Sequence, residues 1–131
     1  MKMQVAYYYR TTHRDHGYDI YIEPGREAFH KRYGKQTVEE HYFWDEASGV
    51  DGNRKAFRQL ISEIRAGHIR VVVTRDAAMI ARDWRQFFEF MEACDNAGVP
   101  VVCINEDGDA LKQYECVKQF VKEYFGREKV L

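Results

Sequence analysis

Proline occurs twice and cysteine three times in 131 residues. An odd cysteine count without paired spacing excludes a disulfide framework or a cysteine-built metal site. Cys94, Cys103 and Cys116 lie in apolar-periodic segments and read as buried, reduced thiols, which suits a cytoplasmic protein. No apolar run approaches the roughly 18 residues of a membrane span, and the opening MKMQVAYYYR lacks the apolar region of a secretory signal. No membrane partner is expected. Positive charge is not in excess either: 20 Lys and Arg against 21 Asp and Glu leave a net charge of -1 and a pI near 6.5. That excludes a strongly basic, free-standing nucleic-acid binder, so any DNA contact must come from a local basic face.

What is present is an alternation of short apolar strands and amphipathic helices. Gln4 to Tyr9 (QVAYYY) runs into the polar stretch RTTHRDHG, the pattern of a buried strand feeding a functional loop. On a strand, Tyr7, Tyr8 and Tyr9 alternate between two faces, so they read as core and not as base-stacking residues. Pro24 fits a helix N-terminal position, with Arg26 to Tyr33 as the helix body and Gly34 as its stop. His41 to Trp44 is a second strand, followed by the turn-rich loop DEASGVDGN. After Asn53, read as an N-cap, Phe57, Leu60, Ile61 and Ile64 recur at helical spacing up to Gly67.

Ile69 to Val73 is β-branched, as a strand buried on both faces would be. Asp83 caps a helix with Trp84, Phe87, Phe88, Met91 and Cys94 on its apolar face and Gly98 at its end. Val99 to Ile104 is a fourth strand, and Leu111 to Phe125 a last helix with Val117, Phe120, Val121 and Tyr124 on one side. This order predicts an α/β fold of three layers, a mainly parallel sheet with flanking helices, in a single domain over residues 1–131. Ligands of such sheets sit beyond the carboxyl ends of the strands, at the switch in strand order. The site is therefore expected among residues 10–17, 45–53, 74–82 and 105–109.

Those loops hold residue types suited to a phosphodiester. Its charge grows as a nucleophile adds, and cleavage without a metal needs a hydroxyl among fixed guanidinium groups. Arg10, Thr12, Arg54 and Arg82 supply those types. Tyr8-Tyr9-Arg10-Thr11-Thr12, then FWDEASG from Phe43 to Gly49, Arg54 opening a helix, IRVVV, and Ile80-Ala81-Arg82-Asp83 follow one another in order. Together they resemble the catalytic domain of the serine recombinases, the resolvase/invertase family. The resemblance covers nearly the whole chain but only that domain, with no separate DNA-binding domain. It implies a flavodoxin-like winding of the sheet and a role in site-specific DNA recombination. In the family a serine attacks the scissile phosphate, each cut strand is held by a covalent 5′-phosphoserine link, and religation follows subunit rotation in a synaptic tetramer. By resemblance Thr12 stands at the nucleophile position, Arg10, Arg54 and Arg82 surround the phosphate, and Asp45 and Ser48 belong to the loop beside the nucleophile. DNA and further copies of the chain, as a homodimer or higher oligomer, are the implied partners; no metal or nucleotide cofactor is implied.

The departures are chemical. Thr12 replaces the serine, and the family's Asp-Arg-Leu-x-Arg falls on Ala78-Met79-Ile80-Ala81-Arg82, without the acid and the first arginine. Losing one preorganised contact to a developing oxyanion costs about 10² to 10³ in rate, and a secondary hydroxyl adds hindrance on the attack line. Asp76 precedes the missing acid by two residues and replaces it only if the loop is re-registered. The expected function is a recombinase-family domain whose own strand cleavage is weak or lost. The alternative is a non-catalytic dimerisation or regulatory module that associates through its last helix. A third reading is a flavodoxin-like domain that binds a small anion. His13, Arg14 and His16 read as solvated loop residues. Arg26, Lys31, Arg32 and Lys35, and likewise Lys55, Arg58, Arg65 and Arg70, fit a DNA-facing patch and an ordinary charged surface equally.

Overall fold

Val5 to Tyr9 expose at most 1% of their surface, a burial that only an inner strand can supply. A computed structural model, which describes residues 2–11, 19–46, 54–81, 83–105 and 110–124, places them so. Strand β1 (Met3–Thr11) pairs in parallel with β2 (Val38–Glu46) from Met3↔Val38 to Thr11↔Glu46. On its other side it pairs with β3 (Val71–Thr74) from Val5↔Val71 to Tyr7↔Val73, and β3 pairs with β4 (Val101–Cys103). The order is β2-β1-β3-β4, all parallel, so the order reverses between β1 and β3. The side chains of β1 alternate as a strand requires: Tyr8 enters one core and Tyr7 and Tyr9 the other.

The layer beside Tyr8 is built by α2 (Lys55–Arg65), α4 (Trp84–Ala97) and α5 (Ala110–Tyr124), with Leu60, Ile64 and Phe90 among its fully buried residues. On the opposite face α1 (Asp19–Tyr33) buries Ile22 and Phe29. It lies so close that a Cβ on Gly25 would stand 2.9 Å from Tyr9 Oη and 3.0 Å from a Tyr7 ring carbon. Pro24 lies inside α1 and not at its start, because the helix begins far enough upstream to bring Ile22 onto the sheet. Arg26 clips α1 to the edge strand, donating Nε and Nη2 to Glu40 at 2.8 and 2.7 Å and Nη2 to Tyr42 at 3.2 Å. These bonds, chiefly those from Arg26, hold the Glu40 carboxyl down to about 2.

Asp83 caps α4, accepting from the Arg85 amide at 2.9 Å, and Gly98 ends it with a φ of 69°. Phe90, absent from the predicted face, is fully buried there, whereas Trp84 is 36% exposed. The residue at the N-cap position of α2 is Arg54, with no side-chain cap of its own; Asn53, the predicted cap, lies outside the described residues. A four-residue helix, α3 (Ala77–Ile80), follows β3. Strand β2 runs to Glu46, so Asp45 belongs to a strand and not to the loop in which it was expected.

Helix α5 differs most from expectation. It buries Ala110 and Tyr114, while Leu111, Phe120 and Tyr124 are 55%, 42% and 62% exposed. The predicted apolar face therefore points outward at Phe120 and Tyr124, and only Val117 packs against the core. The thiols also divide: Cys94 is buried, Cys103 half-buried and Cys116 exposed. Burial, aided by Asp95, pushes the Cys94 thiol up to about 12, which makes it an inert packing group. No helix among the described residues is long and apolar enough to cross a membrane.

Candidate functional site

At the carboxyl end of the sheet, Arg10 on β1 lies directly across from Asp45 on β2. Asp45 is 6% exposed and accepts three hydrogen bonds: from the Ala56 and Phe57 amides at 2.9 Å each and from Tyr8 Oη at 2.8 Å. It caps α2 from a neighbouring strand, putting a negative charge at a helix start whose own first turn has no acid. The anionic partner that a cation at position 54 calls for is thus present, one phenol away.

Arg54 is 4% exposed. Its Nη2 donates to Tyr8 Oη at 2.8 Å and to the Ile80 carbonyl, and its Nη1 donates to Gln86 Oε1 at 3.0 Å. The guanidinium carbon stands 3.8 Å from the centre of the Phe57 ring, a desolvated cation–π contact. The Nε has no hydrogen-bond partner among the described residues. Tyr8 therefore donates to Asp45 and accepts from Arg54, joining β1, β2 and α2. Burial pushes its phenol well above the ordinary tyrosine value; Arg54 opposes that shift and Asp45 adds to it. Sequence reasoning assigned Tyr8 to the core alone, although the signal was there: it opens the Tyr-x-Arg-x-Ser-like motif.

Beneath Arg10 the chemistry is apolar. Its amide donates to Met79 Sδ at 3.0 Å, and Met79 is 3% exposed within the core facing α1. Asp76 caps α3 by accepting from the Met79 amide at 2.9 Å and also accepts from Arg75 Nε at 3.1 Å. Its carboxylate is engaged by these two donors, two residues before Ala78. Thr11 is 8% exposed and its Oγ1 accepts from Trp44 Nε1 at 3.0 Å, while Thr74 Oγ1 donates to the Tyr8 carbonyl at 2.8 Å. Of the sequence-predicted site, Arg10, Asp45 and Arg54 gather at this end of the sheet, and Thr12, Ser48 and Arg82 lie outside the described residues. So do His13 and His16, and among the described residues no three His, Cys, Asp or Glu side chains converge as a metal-binding group.

Residues 5–124 match the family model described as Resolvase, N terminal domain. Among solved structures, the N-terminal catalytic domain of TP901-1 integrase is similar at a TM-score of 0.64 and 20% identity, covering 98% of this chain and 99% of that one. A resolvase family site-specific recombinase from Streptococcus pneumoniae is similar at a TM-score of 0.59 and 21% identity, covering 98% and 91%. The first ORF in transposon ISC1904 from Sulfolobus solfataricus P2 is similar at a TM-score of 0.50 and 20% identity over 77% of this chain, which spans only 66% of that protein. No curated protein matches the sequence. At these identities the structural likeness is one of fold.

Proposed function

The chain belongs to the resolvase family, of which it carries the N-terminal domain, and from that premise we propose that it acts in site-specific DNA recombination with its own strand cleavage weak or lost. The observation that carries this reading is Met79. At the position where the family resemblance places the first arginine of Asp-Arg-Leu-x-Arg, the side chain is a buried thioether in contact with the Arg10 amide. No guanidinium from that position meets charge developing on a phosphate. Arg10, Arg82 and a partly committed Arg54 are what remain, beside a secondary hydroxyl at Thr12. Fusing the full chain to a sequence-specific DNA-binding module and denaturing the complex tests the reading. Wild type is expected to yield little or no covalent protein–DNA adduct beyond that of Thr12→Ala. A Thr12-dependent adduct as abundant as that of a Thr12→Ser, Ala78→Asp, Met79→Arg variant would establish an efficient threonine nucleophile and overturn the proposal.

One observation favours the second reading, a module that associates with another copy. Trp84 lies edge-on to Phe120 at 5.8 Å, and Phe120 lies 4.7 Å from Tyr124, an exposed aromatic run on α4 and α5 that exceeds scattered surface apolarity. Phe120→Glu is expected to shift sedimentation toward a lighter species, whereas Thr12→Ala leaves sedimentation unchanged. Identical sedimentation of the Phe120 variant and wild type counts against association through this face.

A further inference from the structure

The basic residues near α2, undecided from sequence alone, separate in the structure. Arg58, Ser62 and Arg65 recur at helical spacing from Arg54 and line a cleft of about 190 Å³ whose opposite wall is Gln86 and Glu89 of α4. Lys55 lies instead on a different groove, along the edge of β2. Arg54 lines the inner part of the cleft, buried, with neutral hydrogen-bond acceptors and an Nε unpartnered among the described residues; its nearest linked carboxylate, Asp45, is reached only through Tyr8. Arginines at positions 54 and 58 are one helical turn apart, a like-charge spacing that is unfavourable without an intervening anion. Among the described residues the cleft holds one carboxylate to offset them: Glu89 lies 3.7 Å from Arg65, and both side chains are more than half exposed, so the contact is a weak surface pair.

Two exposed guanidinium groups, Arg58 and Arg65, and the Ser62 hydroxyl, backed by the buried charge of Arg54, face one acid among the described lining residues and form a site for an oxyanion, because planar guanidinium forks match phosphate oxygens. We propose that this cleft holds a phosphate of the DNA backbone other than the scissile one, and that the contact positions the duplex. Of the three described residues predicted for the catalytic site, Arg54 lines the cleft and Arg10 and Asp45 do not. Arg58, Arg65 and Ser62 are new assignments. Contacts of this kind fix orientation on the duplex without reading sequence. The inference rests on the recombination reading, since that reading supplies the DNA.

The test uses the full chain, an Arg58→Gln/Arg65→Gln double variant, and Glu89→Gln. All three substituted side chains are exposed, so melting temperatures should match wild type. Affinity for a duplex is measured across a salt series, and melting is followed with inorganic phosphate. Loss of one phosphate contact should flatten the slope of log K against log salt by about 0.9. Glu89→Gln should tighten binding, because it removes the competing carboxylate. Inorganic phosphate should raise the melting temperature of wild type but not of the double variant. An unchanged slope with DNA still retained overturns the inference and leaves the recombination reading standing. Phosphate protection lost in the double variant without a change in DNA slope makes the cleft a free-anion site and overturns the DNA assignment. No DNA retention by wild type at any salt overturns the inference, while the recombination reading is decided separately by the adduct of the fused chain.

Discussion

Asp45→Ala is expected to lower the free energy of unfolding by roughly 3–5 kcal/mol, a large part of the roughly 5–15 kcal/mol that domains of this size possess. Three donors lose their acceptor at once: the amides of Ala56 and Phe57 at the start of α2 and the phenol of Tyr8. Losing a helix cap costs about 0.5–2 kcal/mol, and each buried donor left unsatisfied about 1–3 kcal/mol. The buried guanidinium of Arg54 also loses the negative charge that reaches it through Tyr8. Asp45→Asn retains one carbonyl oxygen and removes the charge, so its loss should fall well below that of the alanine variant. Chemical denaturation reads both, as a lower midpoint at an unchanged slope. A loss below about 1 kcal/mol for Asp45→Ala would mean that water replaces the carboxylate and that the network is not a structural tie.

The triple variant Thr12→Ser, Ala78→Asp, Met79→Arg is expected to form at least about 10²-fold more covalent adduct than wild type when both carry the same DNA-binding fusion. Serine removes the methyl group that hinders in-line attack, and arginine at position 79 restores one preorganised charge. The two act on one transition state, so their effects should exceed either alone and need not simply multiply. Position 79 is the difficult one. Met79 is packed in the core facing α1 and its sulfur accepts the Arg10 amide, so arginine there displaces apolar packing and needs a route to the carboxyl end of the sheet. Thr12→Ser with Ala78→Asp separates the consequences, because it leaves that packing intact. If the triple variant melts as wild type does, is retained on DNA and still gives no more adduct, the loss of chemistry cannot be traced to these positions and the proposal loses its basis.

Much of the frame was legible from residue pattern. The valines of β3, the Phe57-Leu60-Ile61-Ile64 periodicity of α2 and the Asp83 cap each express a local rule that tertiary contacts reinforce. Helix α5 was misread because amphipathic spacing says that a face is apolar, not that something covers it: Phe120 and Tyr124 follow the rule and face outward. The extent of β2 was misread because Asp45 and Glu46 look like turn residues. Pairing with Arg10 and Thr11 keeps them in the strand, and capping α2 satisfies the buried acid. In the site, motif order grouped Arg10, Asp45 and Arg54 as one expected site, and the structure places all three at one end of the sheet. No sequence pattern announced the contact between Met79 sulfur and the Arg10 amide, which joins residues 69 positions apart.

The three consecutive tyrosines of β1 have a consequence for how the chain finds its fold. Sliding β1 by one position past its neighbours would put tyrosine where tyrosine already fits at two of the three sites, so bulk and greasiness discriminate only at the third, which would receive Ala6 or Arg10. In the correct alignment the middle phenol meets both Asp45 and Arg54, and its carbonyl receives the Thr74 hydroxyl. A slipped strand would strand Asp45 and Arg54 in a dry interior. The polar trio thus acts as a proofreader of strand alignment, a duty that persists whether or not the domain ever cuts DNA.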